Sequence, residues 1–300
     1  MMPGAAYVLL DDRGLLAVSG ADRRAFLQGL ISNDVDKVAG DRAIYAALLT
    51  PQGKYLHDFF VAELGETLYL DGEAARLDDL RRRLGLYKLR SKVTLAPAGP
   101  GWAVAALIGP EALARLQLPS EPGRARPFAG GLAYVDPRLA AAGVRAIVPA
   151  EGAASALAAA GFTAAPRTDY DRLRLSLGLP DGSRDLLVEK SILLENGFAE
   201  LNGVDWDKGC YMGQELTART RYRGLVKKRL LPVRIQGPAP APGTPLQLGD
   251  KDAGEMRSAS GDLGLALVRL DALAEAEARG AALTAGDAQV TPVKPDWLAL

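Results

Sequence analysis

This 300-residue chain has one cysteine, one histidine and no formal net charge at pH 7. Its one cysteine, Cys210, cannot form an internal disulfide, and with its one histidine, His57, it cannot complete a structural zinc site. Thirty-six basic residues balance thirty-six acidic ones, so no global field attracts nucleic acid or an anionic membrane. We expect a monomeric protein without a resident metal and without a direct nucleic-acid partner.

Long apolar runs and a recognisable signal peptide are also missing. No stretch approaches the roughly 20 apolar residues of a membrane-spanning helix, and the first residues lack the basic region of a signal peptide. A content of 48% hydrophobic and 24% charged residues is typical of globular proteins, and the length suffices for two domains. The sequence therefore predicts a soluble, cytoplasmic protein with no membrane partner.

From Leu15 onwards the hydrophobic pattern alternates between strands and helices. Helices are predicted after Ser19, with Phe26, Leu27, Leu30 and Ile31 on one face, and over Glu73–Leu84. Strands are predicted at Leu15–Ser19, Ile44–Leu49, Lys54–Leu64, Thr67–Leu70 and Val93–Ala96. The resulting order, β-α-β-β-β-α-β, is the ferredoxin-like alternation with one added strand. A weaker copy between Trp102 and Ala160 predicts an α+β domain with two pseudo-symmetric halves, residues 1–97 and 98–228.

The composition changes at the proline- and glycine-rich run Gln236–Gly243, which is typical of a loop. Short apolar runs separated by turn residues follow it and predict a small antiparallel β-barrel or sandwich. We place the domain boundary after residue 228, because Leu230–Ile235 would serve as the first strand of the barrel. The predicted domains are thus residues 1–228 and 229–300.

The segment Asp207–Glu215 has the strongest chemical character. Its glycines, Gly209 and Gly213, permit a tight turn and the close approach of a ligand. The residues from Gln214 onwards favour a helix, so Cys210 would lie just before a helix N-terminus. That position, together with Lys208, favours a thiolate and makes Cys210 a candidate catalytic group. The alternative is an inert cysteine buried in a glycine-rich connection, the more common state of a free cysteine.

The string Lys-Gly-Cys-Tyr-x-Gly-Gln-Glu at residues 208–215 resembles the signature of the folate-binding YgfZ-type proteins. The motif residues are Lys208, Gly209, Cys210, Tyr211, Gly213, Gln214 and Glu215. That family includes the mitochondrial iron–sulfur assembly factors of eukaryotes and is paralogous to the T-protein, the aminomethyltransferase of glycine cleavage. Further similarities follow in chain order at Arg24–Asp34, Leu49–Phe59, Tyr87–Val93 and Gly254–Arg269. The resemblance thus covers nearly the whole chain.

The resemblance implies an α+β fold, with ferredoxin-like halves around a central hole that binds tetrahydrofolate, followed by the β-barrel. It also implies a function in the assembly or maintenance of iron–sulfur clusters in client proteins, including radical tRNA-modifying enzymes. The residues expected to hold the folate are Asn33, Asp58, Lys208, Tyr211, Gln214, Glu215 and Arg219.

Aminomethyl transfer is an alternative function, and it requires a group that moves a proton. The T-protein carries an Asp-Asp pair at the hairpin where this chain has His57-Asp58. Asp58 is therefore the candidate general base, although a structural carboxylate is the commoner fate of such a residue. His57 either titrates near neutrality or points outward.

A second T-protein feature, a glutamate that contacts the pterin, has no counterpart here. The corresponding residues 136–149 contain no acid after Asp136. The balance favours an assembly factor over an aminomethyltransferase, and whether the chain is an enzyme stays open. The basic run from Arg219 to Arg229 leaves an RNA-binding or tRNA-modification accessory protein as a third alternative.

Overall fold

The computed structural model describes residues 4–298. They divide into two compact units. The first contains the chain up to Leu49, Leu56–Tyr170 and Leu201–Met212, and the second contains Thr50–Tyr55, Asp171–Glu200 and the chain from Gly213 onwards. No helix among residues 4–298 is long and apolar enough to span a membrane. The predicted domain boundary after residue 228 stays a prediction.

The first sheet has five strands in the order β3-β4-β5-β2-β6. The elements up to residue 97 are β1 (Ala6–Leu9), β2 (Arg13–Ser19), α1 (Arg23–Gln28), β3 (Ile44–Leu49), β4 (Tyr55–Leu64), β5 (Thr67–Glu73), α2 (Leu77–Gly85) and β6 (Thr94–Pro97). From β2 the order is β-α-β-β-β-α-β, which confirms the ferredoxin-like alternation. Helix α1 ends at Gln28, so Leu30 and Ile31 lie beyond the predicted helix, although both are buried.

The second sheet repeats this plan. Its further elements are β7 (Trp102–Ile108), α3 (Ala112–Arg115), β8 (Ala125–Phe128), β9 (Gly131–Val135), β10 (Val144–Pro149), α4 (Ala153–Ala159) and β11 (Thr163–Ala164). The strand order β8-β9-β10-β7-β1-β11 matches that of the first sheet, with β1 inserted next to β7. Strands β8 and β11 have four residues or fewer and escaped prediction because so short a run shows little periodicity.

Strands β3 and β4 have a nearly continuous apolar sequence, and the structure shows the reason. Every residue of Ile44–Leu49 is buried, as are the first eight residues of β4. Such strands are covered on both faces, so the alternation expected of a half-exposed strand is lost. The two sheets meet through aromatic rings: Phe60 on β4 lies 5.1 Å from the ring of Tyr45 and 6.3 Å from that of Tyr134 on β9.

The second unit contains a closed barrel of six antiparallel strands in the order β12-β15-β14-β13-β16-β17. Helix α5 (Arg167–Leu177) enters this unit, and its other elements are α6 (Gln214–Tyr222), β12 (Lys228–Gln236), β13 (Pro245–Leu248), β14 (Lys251–Ser260), β15 (Leu263–Arg269), α7 (Leu270–Arg279), β16 (Leu283–Ala285) and β17 (Ala288–Pro292). The predicted C-terminal β-barrel is confirmed. Helix α7 was not predicted; its Ala272, Leu273 and Ala276 pack into the barrel core.

Candidate functional site

Residues Asp205–Met212, which we call the cysteine loop, are fixed chiefly by Lys208. Its Nζ donates hydrogen bonds to three main-chain carbonyl oxygens, those of Gln28 (2.9 Å), Ile31 (2.7 Å) and Asn33 (2.8 Å). An ammonium group has three protons, so this arrangement uses all of its donors. Partial burial lowers the pKa of Lys208 to about 8, so the charged form predominates at neutral pH.

Asp205 holds the start of the loop. Its Oδ1 accepts hydrogen bonds from the backbone N–H groups of Asp207 (2.8 Å) and Lys208 (3.0 Å), and its Oδ2 pairs with the ammonium of Lys37. Burial by itself would raise the pKa of the Asp205 carboxyl, but the bond from Lys37 and the backbone donors lower it below its usual value. The carboxylate therefore stays ionised and keeps the turn closed.

A second set of bonds joins the loop and the residues before it to the chain that follows α1. The Asn33 amide Nδ2 donates to the carbonyl oxygens of Tyr45 (2.7 Å) and Asn202 (2.8 Å). At the other end of the loop, the backbone N–H of Met212 donates to the carbonyl oxygen of Gly29 (3.0 Å). The loop is thus irregular in secondary structure but tied at both ends.

Cys210 is exposed on this fixed loop. The next residue, Tyr211, is buried, and the Lys208 ammonium lies 5.2 Å from the centre of its ring. The alternative of a buried cysteine is therefore wrong. The Lys208 ammonium, expected from the sequence to favour the thiolate, is directed at the three carbonyl oxygens and anchors the loop.

A cavity of about 260 Å³ borders the loop within the first unit. Its wall includes the apolar Ile44 and Val204, the ring-bearing Tyr45, and the amide side chains of Asn33 and Asn202. Two cations line it as well, Lys37 paired with Asp205 and Arg42 paired with Glu121. The wall thus combines a few apolar side chains with amide and charged groups.

Asp58 lies behind this wall. It is buried, and its Oδ2 accepts a hydrogen bond from the Tyr45 hydroxyl at 2.8 Å. Burial and the neighbouring Asp58 carboxylate raise the pKa of Tyr45 well above its usual value, so Tyr45 remains a donor. Asp58 is not among the residues that line the cavity, whereas Tyr45 is.

Both expectations for His57, an outward side chain or titration near neutrality, are wrong. Its side chain is buried, and its Nε2 lies 2.9 Å from Oδ2 of Asp79 on α2. Burial and the nearby Arg76 lower its pKa to about 4. His57 therefore does not point outward and does not titrate near neutrality, because α2 covers it.

Residues 136–149 contribute two buried cations, Arg138 and Arg145, to the interior of the first unit. Arg138 pairs with Asp136 (2.7 Å) and Arg145 with Asp71 (2.6 Å), all of them buried. Both guanidinium groups lie over the ring of Phe60, at 4.9 Å and 4.1 Å from its centre. This segment therefore lacks the glutamate of the T-protein and instead contributes two buried, paired arginines, which the sequence pattern did not indicate.

The remaining predicted folate residues lie on another element. Gln214, Glu215 and Arg219 belong to α6 in the second unit, where Glu215 and Arg219 are exposed. Of the seven predicted residues, the structure gathers Asn33, Lys208 and Tyr211 at the cysteine loop, with Asp58 behind Tyr45. Sequence reasoning missed Lys37, Tyr45, Asn202 and Asp205. Only Asp205, three residues before the motif, gave a local signal.

Comparisons with known proteins agree with this architecture. Residues 11–123 match the GCVT N-terminal domain, and residues 227–300 match the CAF17 C-terminal β-barrel domain. The glycine cleavage system aminomethyltransferase T from Bartonella henselae has a similar fold, with a TM-score of 0.76 over 98% of this chain and 86% of that one, at 16% identity. The fold thus defines a protein with a GCVT-type domain and a CAF17-type barrel.

Sequence relatives narrow this class. The chain is 37% identical to the human iron–sulfur cluster assembly factor IBA57, mitochondrial, over 88% of this chain and 78% of the relative. It is 33% identical to the mouse protein of that name, over 96% and 84%. The chain belongs to the CAF17/IBA57-type family. The narrower YgfZ designation stays a prediction.

The predicted cytoplasmic location is wrong on this comparison, because the human, mouse and Neurospora crassa relatives are all named mitochondrial proteins. The prediction rested on the lack of long apolar runs and of a signal-peptide pattern in the first residues. These features argue against a secreted protein or a membrane protein, but they do not distinguish the cytoplasm from an organelle.

Proposed function

We propose that this protein binds tetrahydrofolate and supports the assembly or maintenance of iron–sulfur clusters in client enzymes, radical tRNA-modifying enzymes among them. The observation that carries the proposal is the exposed thiol of Cys210 on a loop fixed by Lys208. A nucleophile at the surface whose neighbours are held in place is suited to a transient bond with a second macromolecule. The names of the related assembly factors support this role.

In this proposal the deprotonated Cys210 sulfur has one of two roles. It either binds an iron of a cluster, which changes no oxidation state, or attacks the outer sulfur of a client persulfide, so that this sulfur passes to Cys210 and the client cysteine leaves as a thiolate. The chain has one cysteine, and an iron–sulfur cluster usually has four thiolate ligands. Any cluster that Cys210 contacts is therefore cargo, with its other ligands supplied from outside the chain. Gly209, which is exposed and has no side chain, leaves room beside the sulfur for a partner.

The residues around the cavity fit part of a folate molecule. The volume of about 260 Å³ lies just below the roughly 300–1,000 Å³ of ligand pockets, so we assign it to the flat pterin ring. Ile44, Tyr45 and Val204 would contact the ring, and the rest of the folate would extend out of the cavity. When bound, tetrahydrofolate supplies ring nitrogens that can carry a one-carbon group.

Aminomethyl transfer is the weaker candidate. The candidate base Asp58 is buried and already accepts a hydrogen bond from the Tyr45 hydroxyl. Residues 136–149 have Asp136 as their only acid, and it is paired with Arg138. With an aminomethylated lipoyl carrier and tetrahydrofolate, we expect no methylene-tetrahydrofolate above background. Turnover comparable to that of a T-protein would reverse this ranking and make Asp58 a catalytic base.

Two measurements test the two parts of the proposal separately. Calorimetric titration with tetrahydrofolate and with its formyl and methyl forms should show micromolar binding, about −8 kcal/mol. Asp58→Asn should weaken binding, because Tyr45 lines the cavity and rests on Asp58. The absence of binding by every folate would remove the folate part and leave the thiol part standing.

The thiol part is tested by rescue of cluster-enzyme activity in cells that lack the native protein. Cys210→Ser keeps the shape of the side chain but removes the thiol, so it should fold, bind folate as the wild type does and fail to rescue. Asp207→Asn, at an exposed neighbouring position of the same loop, is the matched control and should rescue. Full rescue by Cys210→Ser would refute a chemical role of the thiol.

A further inference from the structure

A turn after α2 exposes large apolar side chains in the first unit. Every residue from Gly85 to Arg90, which we call the Leu89 turn, is exposed. Leu89 is 88% exposed and Leu86 is 65% exposed, and Tyr87 between them is 40% exposed. Scattered exposed leucines are ordinary, but three large apolar side chains within four residues of one turn concentrate apolar surface, and such patches mark sites of interaction.

The backbone of this turn is ordered. The N–H groups of Tyr87 and Lys88 donate to the carbonyl oxygens of Leu84 (3.0 Å) and Gly85 (3.2 Å), and that of Ser91 donates to Lys88 (2.8 Å). The buried side chains of Leu84 and Val93 fix its two ends. The apolar side chains are thus presented by a preformed turn, which reduces the entropy lost on binding.

Leu89 also has an unfavourable backbone conformation. Its φ of +41° lies in the left-handed region that glycine accepts and that residues with a Cβ avoid. The strain is not offset by burial, since the side chain extends into solvent. A strained residue that presents an apolar group outward is the arrangement expected of a recognition site.

The charges around the turn indicate the kind of partner. Residues 77–92 contain six cations and two carboxylates, in a chain that has no net charge overall. Arg82 and Arg83 pair with Asp79, but within the described part of the chain no carboxylate lies within ion-pair distance of Lys88 or Arg90. A complementary partner therefore presents carboxylates around an apolar pocket.

We propose that the Leu89 turn is a docking site for an acidic protein, with Leu89 inserted into an apolar pocket of the partner and Lys88 and Arg90 paired with carboxylates at its rim. Nucleic acid is disfavoured because leucine side chains do not contact phosphates, and a membrane is disfavoured because a six-residue turn buries too little apolar area. The inference does not depend on folate binding or on Cys210.

The test replaces Leu89 with the photo-reactive residue benzoyl-phenylalanine in cells, identifies the crosslinked molecule and then measures binding of that purified molecule. We expect an acidic protein whose affinity falls about tenfold or more with Leu89→Ala and with the double change Lys88→Glu, Arg90→Glu, and also falls with added salt. Leu187→Ala, at a leucine that is 41% exposed in the second unit, is the matched control and should bind normally.

Leu89→Gly separates recognition from folding. It removes the strain, so the melting temperature should stay unchanged or rise, while binding falls as it does for Leu89→Ala. The proposal is overturned if no protein crosslinks or if Leu89→Ala binds the crosslinked protein as the wild type does. It is also overturned if the purified chain binds a transfer RNA or vesicles of equal parts phosphatidylserine and phosphatidylcholine through this turn.

Discussion

Replacing Lys208 with methionine tests whether this residue anchors the cysteine loop. Methionine keeps the length of the side chain but removes the ammonium, so the carbonyl oxygens of Gln28, Ile31 and Asn33 lose their shared donor. A hydrogen bond to a charged group contributes about 1.5–3 kcal/mol net. Because the site is partly exposed, water replaces some of this, and we expect a total loss of about 2–4 kcal/mol.

The loss should appear as local opening of the loop. Hydrogen exchange of the backbone amides of Asp207 and Met212, which are bonded to Asp205 and Gly29, should become about 30- to 1,000-fold faster, since each 1.4 kcal/mol is a factor of ten. Lys208→Arg should give a partial effect, because a planar guanidinium cannot point its donors at three converging oxygens. Lys190→Met, at an exposed lysine, is the control and should exchange as the wild type does. If Lys208→Met shows wild-type exchange at both amides, Lys208 does not anchor the loop.

Two further predictions concern buried charge in the first unit. The pKa of His57 is about 4 in the folded protein against an ordinary 6.5, so between pH 6.5 and pH 4 the unfolded chain binds a proton that the folded one does not. About 3 kcal/mol of stability should therefore be lost as the pH falls over that range. In urea unfolding at pH 7, 5 and 4, His57→Gln should reduce this loss. An equal slope in both proteins would contradict this. Asp71→Asn should lower the free energy of unfolding by about 3–5 kcal/mol, because Asp71 is fully buried between Arg13 (2.8 Å) and Arg145 (2.6 Å) and its loss leaves both cations underpaired. Chemical denaturation measures the effect, exposed Asp78→Asn serves as the control, and a loss below 1 kcal/mol would show that the cluster is not held by this carboxylate.

The local pattern of the sequence was sufficient for the order of the elements. Period-two runs and helical spacing gave β-α-β-β-β-α-β for the first sheet and a barrel after the proline-rich run, and both are confirmed. The motif at residues 208–215 pointed to a family that includes the mitochondrial iron–sulfur assembly factors, and it singled out the Cys210 thiol. These features depend on residues within one element or one turn of each other, which is the range over which periodicity and turn chemistry act.

Strand pairings and hydrogen bonds between residues far apart in the chain could be learned only from the tertiary structure. Strand β1 pairs with β7, about a hundred residues later, and the acceptors of Lys208 lie 175 to 180 residues before it. The same holds for Arg145, whose partner Asp71 is 74 residues away, and for His57, which α2 buries. A sequence pattern specifies which side chains must leave water, but the energy of a buried charge or an ammonium depends on which acceptors the fold brings within 3 Å of it. For that reason the chain by itself identified Lys208 as important, and only the fold gave it the role of an anchor.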